Sequence, residues 1–414
     1  MIRSMSAALS GMRAHQTMLD VVGNNISNVS TAGFKSSSVE FQDVLTQVIT
    51  GARAPGAQTA GTNPGQIGLG VRVAGIIQTM TQGALQTTGR ASDMSVQGDG
   101  FFVLAKDGRT SYTRAGDFSL DAQSHLSSVD GGLVQGWQAD PTGTIDTNQP
   151  VGNILIRVGD QLAPHQTEAV RLGGNIPADA AIGDQYQTAV TAYDEQGNSI
   201  LLQLTFDKTA INTWTATASY GTPATAVALA DGALTFDGAG ELTGPVDHVM
   251  DIAAGDIPGF PNGISFNLGG SAEPGRVTQY SGKRSLVVTE QDGFSPGTLE
   301  SYTVSVDGSL VGTYSNGRTQ AIAQVALAVF GNPAGLERAG GVWFETTNSG
   351  LPQVGTAATG GRGRINPGAL EMSNVDLAQE FTNLIIAQRG FQANSRVITT
   401  SDELLQEIVN LKRG

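Results

Sequence analysis

The sequence predicts an α+β protein in which long terminal α-helices form a coiled-coil-like pair around nested antiparallel β-rich domains of sandwich or barrel type. Three observations lead there. Each end of the chain carries an apolar stripe of helical period. Seven Asp-Gly and two Asn-Gly dipeptides, the strongest short hairpin signals, lie between those ends. Glycine accounts for 55 of 414 residues and aromatics for only 6%, which suits a turn-rich β body.

The C-terminal stretch Ser373–Leu411 has no proline, and Leu377, Phe381, Leu384, Phe391, Ile398, Leu405 and Ile408 recur at spacings of three, four or seven. Ser373 with Asp376 three residues on reads as a capping-box-like start. At 1.5 Å per residue the helix is about 58 Å long, more than a compact domain covers. The N-terminus mirrors it with Ile2, Met5, Leu9, Met12, Leu19, Val22, Ile26 and Val29, predicting a helix from about Ser4 to Asn28. Burying such side chains stabilises by about 1.5–3 kcal/mol each, provided partners exist. A two-helix seam does not cover both stripes together with Ile385, Ile386 and Leu404, so the two stripes are predicted to be a self-assembly interface. The termini are expected to become helical on assembly.

Between the helical parts (1–30 and 371–414), residues 31–70 and 355–370 read as extended connectors, rich in Gly, Ala, Thr and Pro. Gly33 is expected at positive φ, as a helix C′ residue, and Phe41, Val44, Leu45, Val48 and Ile49 form a short amphipathic segment. A first β domain is predicted over 71–145 and 281–354, with Phe101–Leu104 returning through Asp107-Gly108. An outer β domain over 146–280 is inserted in it, beginning with a strand at Ile154–Val158 and containing Tyr186–Tyr193 paired with Ile200–Phe206. Ser285–Thr289 is expected to rejoin the first domain, and 320–330 reads as strand rather than helix.

Residues 1–70 hold four basic and three acidic residues and residues 360–414 six of each, whereas the middle holds 13 basic and 28 acidic. Neutral ends suit packing between copies, and the acidic middle argues against nucleic acid. Cysteine is absent, so neither disulfides nor thiolate sites arise. The longest apolar run, Val325–Phe330, is six residues, which predicts no membrane insertion. Met1-Ile-Arg-Ser lacks an apolar signal core, so the chain is expected to stay inside the cell or leave without cleavage.

No catalytic pattern survives inspection, and neither a cofactor nor an enzyme is predicted. Gly293-Phe-Ser-Pro-Gly297 matches the nucleophile-elbow string, but Pro296 lacks the N–H that an oxyanion hole needs, so a turn is the better reading. Gly65-Gln-Ile-Gly68-Leu-Gly70 has a phosphate loop's spacing reversed and precedes a strand. The four histidines are scattered, and Asp247-His248 with Asp251 reads as a solvated acidic loop. Asn25 and Asn28 sit in glycosylation-like triplets that helix termination explains better.

Three motifs carry a resemblance. Asn24-Asn25-Ile26-Ser27-Asn28-Val29-Ser30-Thr31-Ala32-Gly33-Phe34-Lys35 resembles the N-terminal signature of the bacterial flagellar rod and hook protein family. Gln97-Gly98-Asp99-Gly100-Phe101-Phe102-Val103 resembles its internal motif, and Ser373–Leu377 with Gln388–Asn394 its C-terminal signature. The length and the insertion are similar to the hook members, the rod members being shorter. The resemblance implies a homo-polymer: a curved hollow tube with the helices as its inner wall, acting as a universal joint that passes torque from rod to filament. It also implies unfolded export by the flagellar type III apparatus, without a cleaved signal, to an extracellular place in the flagellum. The implied partners are the distal rod protein, the hook cap protein and the hook-filament junction protein. Two alternatives remain at this stage: a distal rod subunit, and a secreted β-rich carbohydrate-binding protein that leaves both stripes unexplained.

Overall fold

The computed structural model describes residues 2–55, 60–270 and 273–411. Two terminal helices and many, mostly antiparallel, strands make up the chain. It divides into two compact units. One comprises the chain up to Ile156, Tyr302–Val311 and the chain from Ala321 on; the other comprises Arg157–Ser301 and Gly312–Gln320. The polypeptide therefore passes between them four times.

In the first unit, helix α1 spans Ile2–Ser27 and helix α2 spans Leu377–Leu411, 35 residues or about 52 Å. α2 starts four residues after Ser373. Asp376 is its cap, accepting the backbone N–H groups of Ala378 and Gln379 at 2.8 and 3.2 Å. Asn374 prevents an earlier start: its side chain accepts Ser36 N–H at 2.8 Å and donates to Thr79 O at 2.8 Å, which holds the backbone extended.

Residues 37–70, expected as an extended connector, instead supply strands of two-stranded ribbons, in which Val71–Gln78, expected as strand, also pairs. Ser37–Asp43 pairs antiparallel with Val71–Gln78 across a bulge at Glu40/Phe41, and Thr46–Thr50 pairs with Gly65–Gly68. The strands are short and their cross-strand partners mix apolar with Gly and Gln (Thr46 with Gly68, Gln47 with Ile67), so no alternation reached the sequence pattern. Gly33 does take φ +69°, but six residues beyond the helix, where a Cβ would meet Ala115 N at 2.5 Å. It is a close-approach glycine, not a helix C′ residue.

The β body of this unit orders Thr319–Val329, Leu133–Gln138, Phe101–Lys106, Arg109–Thr113, Val342–Phe344 and Glu337–Ala339. Asp107 and Gly108 both have positive φ, +50° and +75°, the geometry a two-residue hairpin requires. Phe101 anchors one face of this sheet, edge-on to Trp343 at 5.5 Å and to Phe330 at 6.0 Å. Ile154–Val158 does not form the expected strand. Pairing is confined to Gly152–Asn153 and a bridge at Leu155, while Ile154 and Ile156 are buried in the core.

The second unit is two sheets on one core. The first runs Gln185–Tyr193, Ser199–Ala210, Thr213–Tyr220, Ala233–Phe236, Leu242–Gly244. Ser199–Ala210 alternates strictly, with Leu202, Leu204, Phe206 and Lys208 turned inward. The second sheet is mixed, since Ala169–Asn175 runs parallel to Ile264–Asn267 and to Val277–Thr278. Val287–Gln291 pairs with Ala169–Asn175 and so stays in this unit rather than rejoining the first. Leu286 and Val288 belong to its core, which fixes the choice.

Candidate assembly surface

α1 and α2 meet along small residues. Ala8, Gly11 and Ala14 are buried on α1, and Ala387 and Ser401 on α2. At Gly11 a Cβ would lie 2.8 Å from Asn394 Nδ2, and at Gly390 one would lie 2.5 Å from His15 Nε2. Each glycine is thus a notch filled by a polar side chain of the other helix. Asn25 hydrogen-bonds Glu380 further along. The paired numbers rise on one helix as they fall on the other, so the helices run antiparallel in constant register. Burial pushes the Glu380 carboxyl up, opposed by hydrogen bonds from Asn25 and Asn383.

The root of α1 is fixed by Asn25, which donates Nδ2–H to Ser37 O at 2.8 Å and accepts Ser37 N–H at 3.0 Å. Beside it the Arg338 guanidinium lies 4.2 Å over the Phe34 ring.

Of the predicted interface residues, Val22 is buried and Met5, Met12, Leu19, Ile26, Val29, Leu384, Phe391, Ile398 and Leu405 are half-buried. Leu9, Leu377, Phe381 and Ile408 are exposed, and the Ile2 side chain lies outside the described residues. The small-residue line is not legible in the sequence, because the period of the large apolar residues overshadows Ala and Gly. The outward side of α2 carries Phe381, Ile385, Ile386 and Leu404, each at least 50% exposed, with Val397 and Val409. The ribbon adds Leu45, Val48, Ile49 and Ile67, all exposed. Exposed apolar side chains grouped in this way mark contact surfaces.

A groove of about 500 Å³ on the β body is lined by Leu104, Lys106, Arg109, Asp130, Val342 and Phe344. Among the described residues, no three His, Asp or Glu gather as a metal site, and no helix is long and apolar enough to cross a membrane.

Four family models match in sequence order. They are flagella basal body rod protein over 5–35, flagellar hook protein FlgE/F/G D1 domain over 95–180, flagellar basal body protein FlaE D2 domain over 166–294, and flagellar basal body rod FlgEFG protein C-terminal over 366–411. The chain is 40% identical to the flagellar hook protein FlgE of Borreliella burgdorferi and 38% identical to that of Treponema pallidum, each over the full length of both proteins. Its fold is similar to the crystal structure of Helicobacter pylori flagellar hook protein FlgE2, with a TM-score of 0.55 at 15% identity, covering 69% of this chain and all of that one. With full-length identity at this level, the chain belongs to the flagellar hook protein family.

Proposed function

We propose that the chain is the hook subunit and that copies polymerise through the terminal helices into a curved hollow tube, a flexible universal joint carrying torque from rod to filament. The observation that carries this reading is the uncovered apolar side of α2, from Leu377 through Phe381, Ile385 and Ile386 to Leu404 and Ile408. Neighbouring copies are the natural cover for it, because the partner helix of the same chain is already engaged through the small-residue line. In this reading α1 and α2 act as a coiled-coil-like pair, with Gly11, Met18 and Asn25 spaced by seven against Asn394, Ala387 and Glu380.

The role is structural, without catalysis or cofactor. An inner layer of packed helices resists twist, and acidic outer bodies without large apolar patches slide as the tube bends. The distal rod protein below, the hook cap protein during growth and the hook-filament junction protein above are the partners of this role. The type III export apparatus would deliver the unfolded chain to its extracellular place. Purified protein brought to high concentration should form curved tubes in electron micrographs, and removal of either terminal helix should abolish them while leaving the β bodies folded. Straight tubes would instead favour a distal rod subunit, and a monomer at every concentration would sink the polymer.

A further inference from the structure

The Glu371 carboxylate lies 2.6 Å from Lys35 Nζ and 3.3 Å from Arg114 Nη1, and all three side chains are closed to water. Lys35 comes from the segment following α1, Arg114 from the β body, and Glu371 from the segment leading into α2. Neutral groups complete the shell. Lys35 Nζ donates to Thr81 O at 2.8 Å, Arg114 Nη2 to Gly98 O at 2.9 Å, and Gly83 N–H to Glu371 Oε1 at 2.9 Å. The three sequence motifs that lie far apart in the chain therefore meet at one node, through Phe34-Lys35, Gly98 and Glu371 with Asn374.

The node holds two buried cations against one buried anion, with the exposed Asp99 adding a weaker attraction on Arg114. Burial pushes Lys35 and Arg114 down from their ordinary values, and Glu371 opposes this for both. We propose that Glu371 is a completion check: residues 33–36 lock onto the body only once the C-terminal segment has delivered its carboxylate. Without Glu371, Lys35 and Arg114 would face each other out of water, and an uncompensated buried charge is strongly destabilising. The flexible lysine leaves, and Gly33 N–H gives up its 2.7 Å hydrogen bond to Glu371 O as the segment lifts. Removing Lys35 instead leaves Glu371 and Arg114 balanced. The dependence therefore runs one way: the N-terminal arm waits for the C-terminal end. Glu371 is a positioning residue that acts on α1 through Lys35.

Amide hydrogen exchange of the full chain tests this. In Glu371→Gln, residues 33–37 should exchange at least about tenfold faster while the body strand Phe101–Lys106 keeps its rate. In Lys35→Met/Glu371→Gln, where the repulsion between Lys35 and Arg114 is gone and Arg114 keeps its hydrogen bond to Gly98 O and the attraction of Asp99, exchange at 33–37 should return to within about threefold of the parent. A double variant as fast as Glu371→Gln, or equal acceleration in Phe101–Lys106, overturns the proposal, since either result describes ordinary loss of packing. Should Glu371→Gln fail to fold, Lys35→Met decides: protection of 366–376 should hold within about threefold, and a loss of about tenfold overturns the one-way dependence.

Discussion

At Gly390 a methyl group would sit 2.5 Å from the His15 ring, whereas at Gly23 it would meet nothing within 4 Å. Alanine is the better helix former by about 1 kcal/mol at either place. Gly23→Ala should therefore raise helix stability by up to about 1 kcal/mol, whereas Gly390→Ala should lower it by about 1–2 kcal/mol because His15 must leave its notch. Thermal loss of the helical circular dichroism signal reads both. A second residue-scale expectation concerns Tyr112, whose phenol burial pushes up to about 12, with the negative charge of Glu345 adding to it. The folded state keeps this proton while the unfolded state releases it from about pH 10, so its contribution is complete below pH 10 and is lost between 10 and 12. Urea unfolding at pH 9 and pH 11.5 should differ by about 2 kcal/mol from this group, and Tyr112→Phe should flatten that slope. Tyr302 and Tyr314, also raised by burial, account for a remaining slope of the same sign. Neither residue announces its role in sequence: a lone glycine reads as a weak point in a helix, and a lone tyrosine as one more strand residue.

Among the elements, the two helices were legible because their apolar period persists over 26 and 35 residues. Which side faces which partner was not. Period alone selects the heavy stripe, but pairing within the chain centres on the small side chains that let two backbones approach, leaves most of the heavy ones half-buried, and turns Phe381, Ile385, Ile386 and Leu404 outward. The test belongs to that outward side. Phe381→Ser with Ile386→Ser should raise the concentration needed for polymerisation by at least about tenfold, since burial of each is worth about 1.5–3 kcal/mol. Glu403→Ser, on an exposed polar position of the same helix, should leave it unchanged. Sedimentation across a dilution series gives both numbers, and equal effects from the two variants would remove α2 from the contact. The ribbon strands over 37–70 were illegible for a different reason: they are short and alternate weakly, and cross-strand hydrogen bonds rather than apolar cover hold them, whereas the alternation of Val71–Gln78 was plain.

Taken as a whole, the molecule separates its charge. The two ends are close to neutral, while the middle holds 28 acidic against 13 basic residues. In the proposed assembly, copies brought together by apolar helix faces would have to tolerate repulsion between their acidic bodies. Salt screens that repulsion over about 8–10 Å at physiological strength without weakening apolar contact. Polymerisation should therefore improve as sodium chloride rises from about 20 to 300 mM, the opposite of a polymer held by ion pairs. Light scattering at fixed protein concentration settles the sign. A β-rich, mostly antiparallel middle was legible from turn chemistry and strand alternation, but the placing of Ser285–Thr289 was not. Nothing local in Ser285–Thr289 says which sheet it joins, and the choice rests on Leu286 and Val288 finding apolar neighbours more than a hundred residues earlier in the chain.

The fourfold passage of the polypeptide between its units has a bearing on how such genes can be shuffled. A splice that transplants Arg157–Ser301 from a cousin leaves behind the nine-residue peg Gly312–Gln320, whose Ser315 and Asn316 are tied to Thr298 and Ser295 of the departed segment. This second unit can be traded only as two matched fragments, so recombination should have moved them together or not at all.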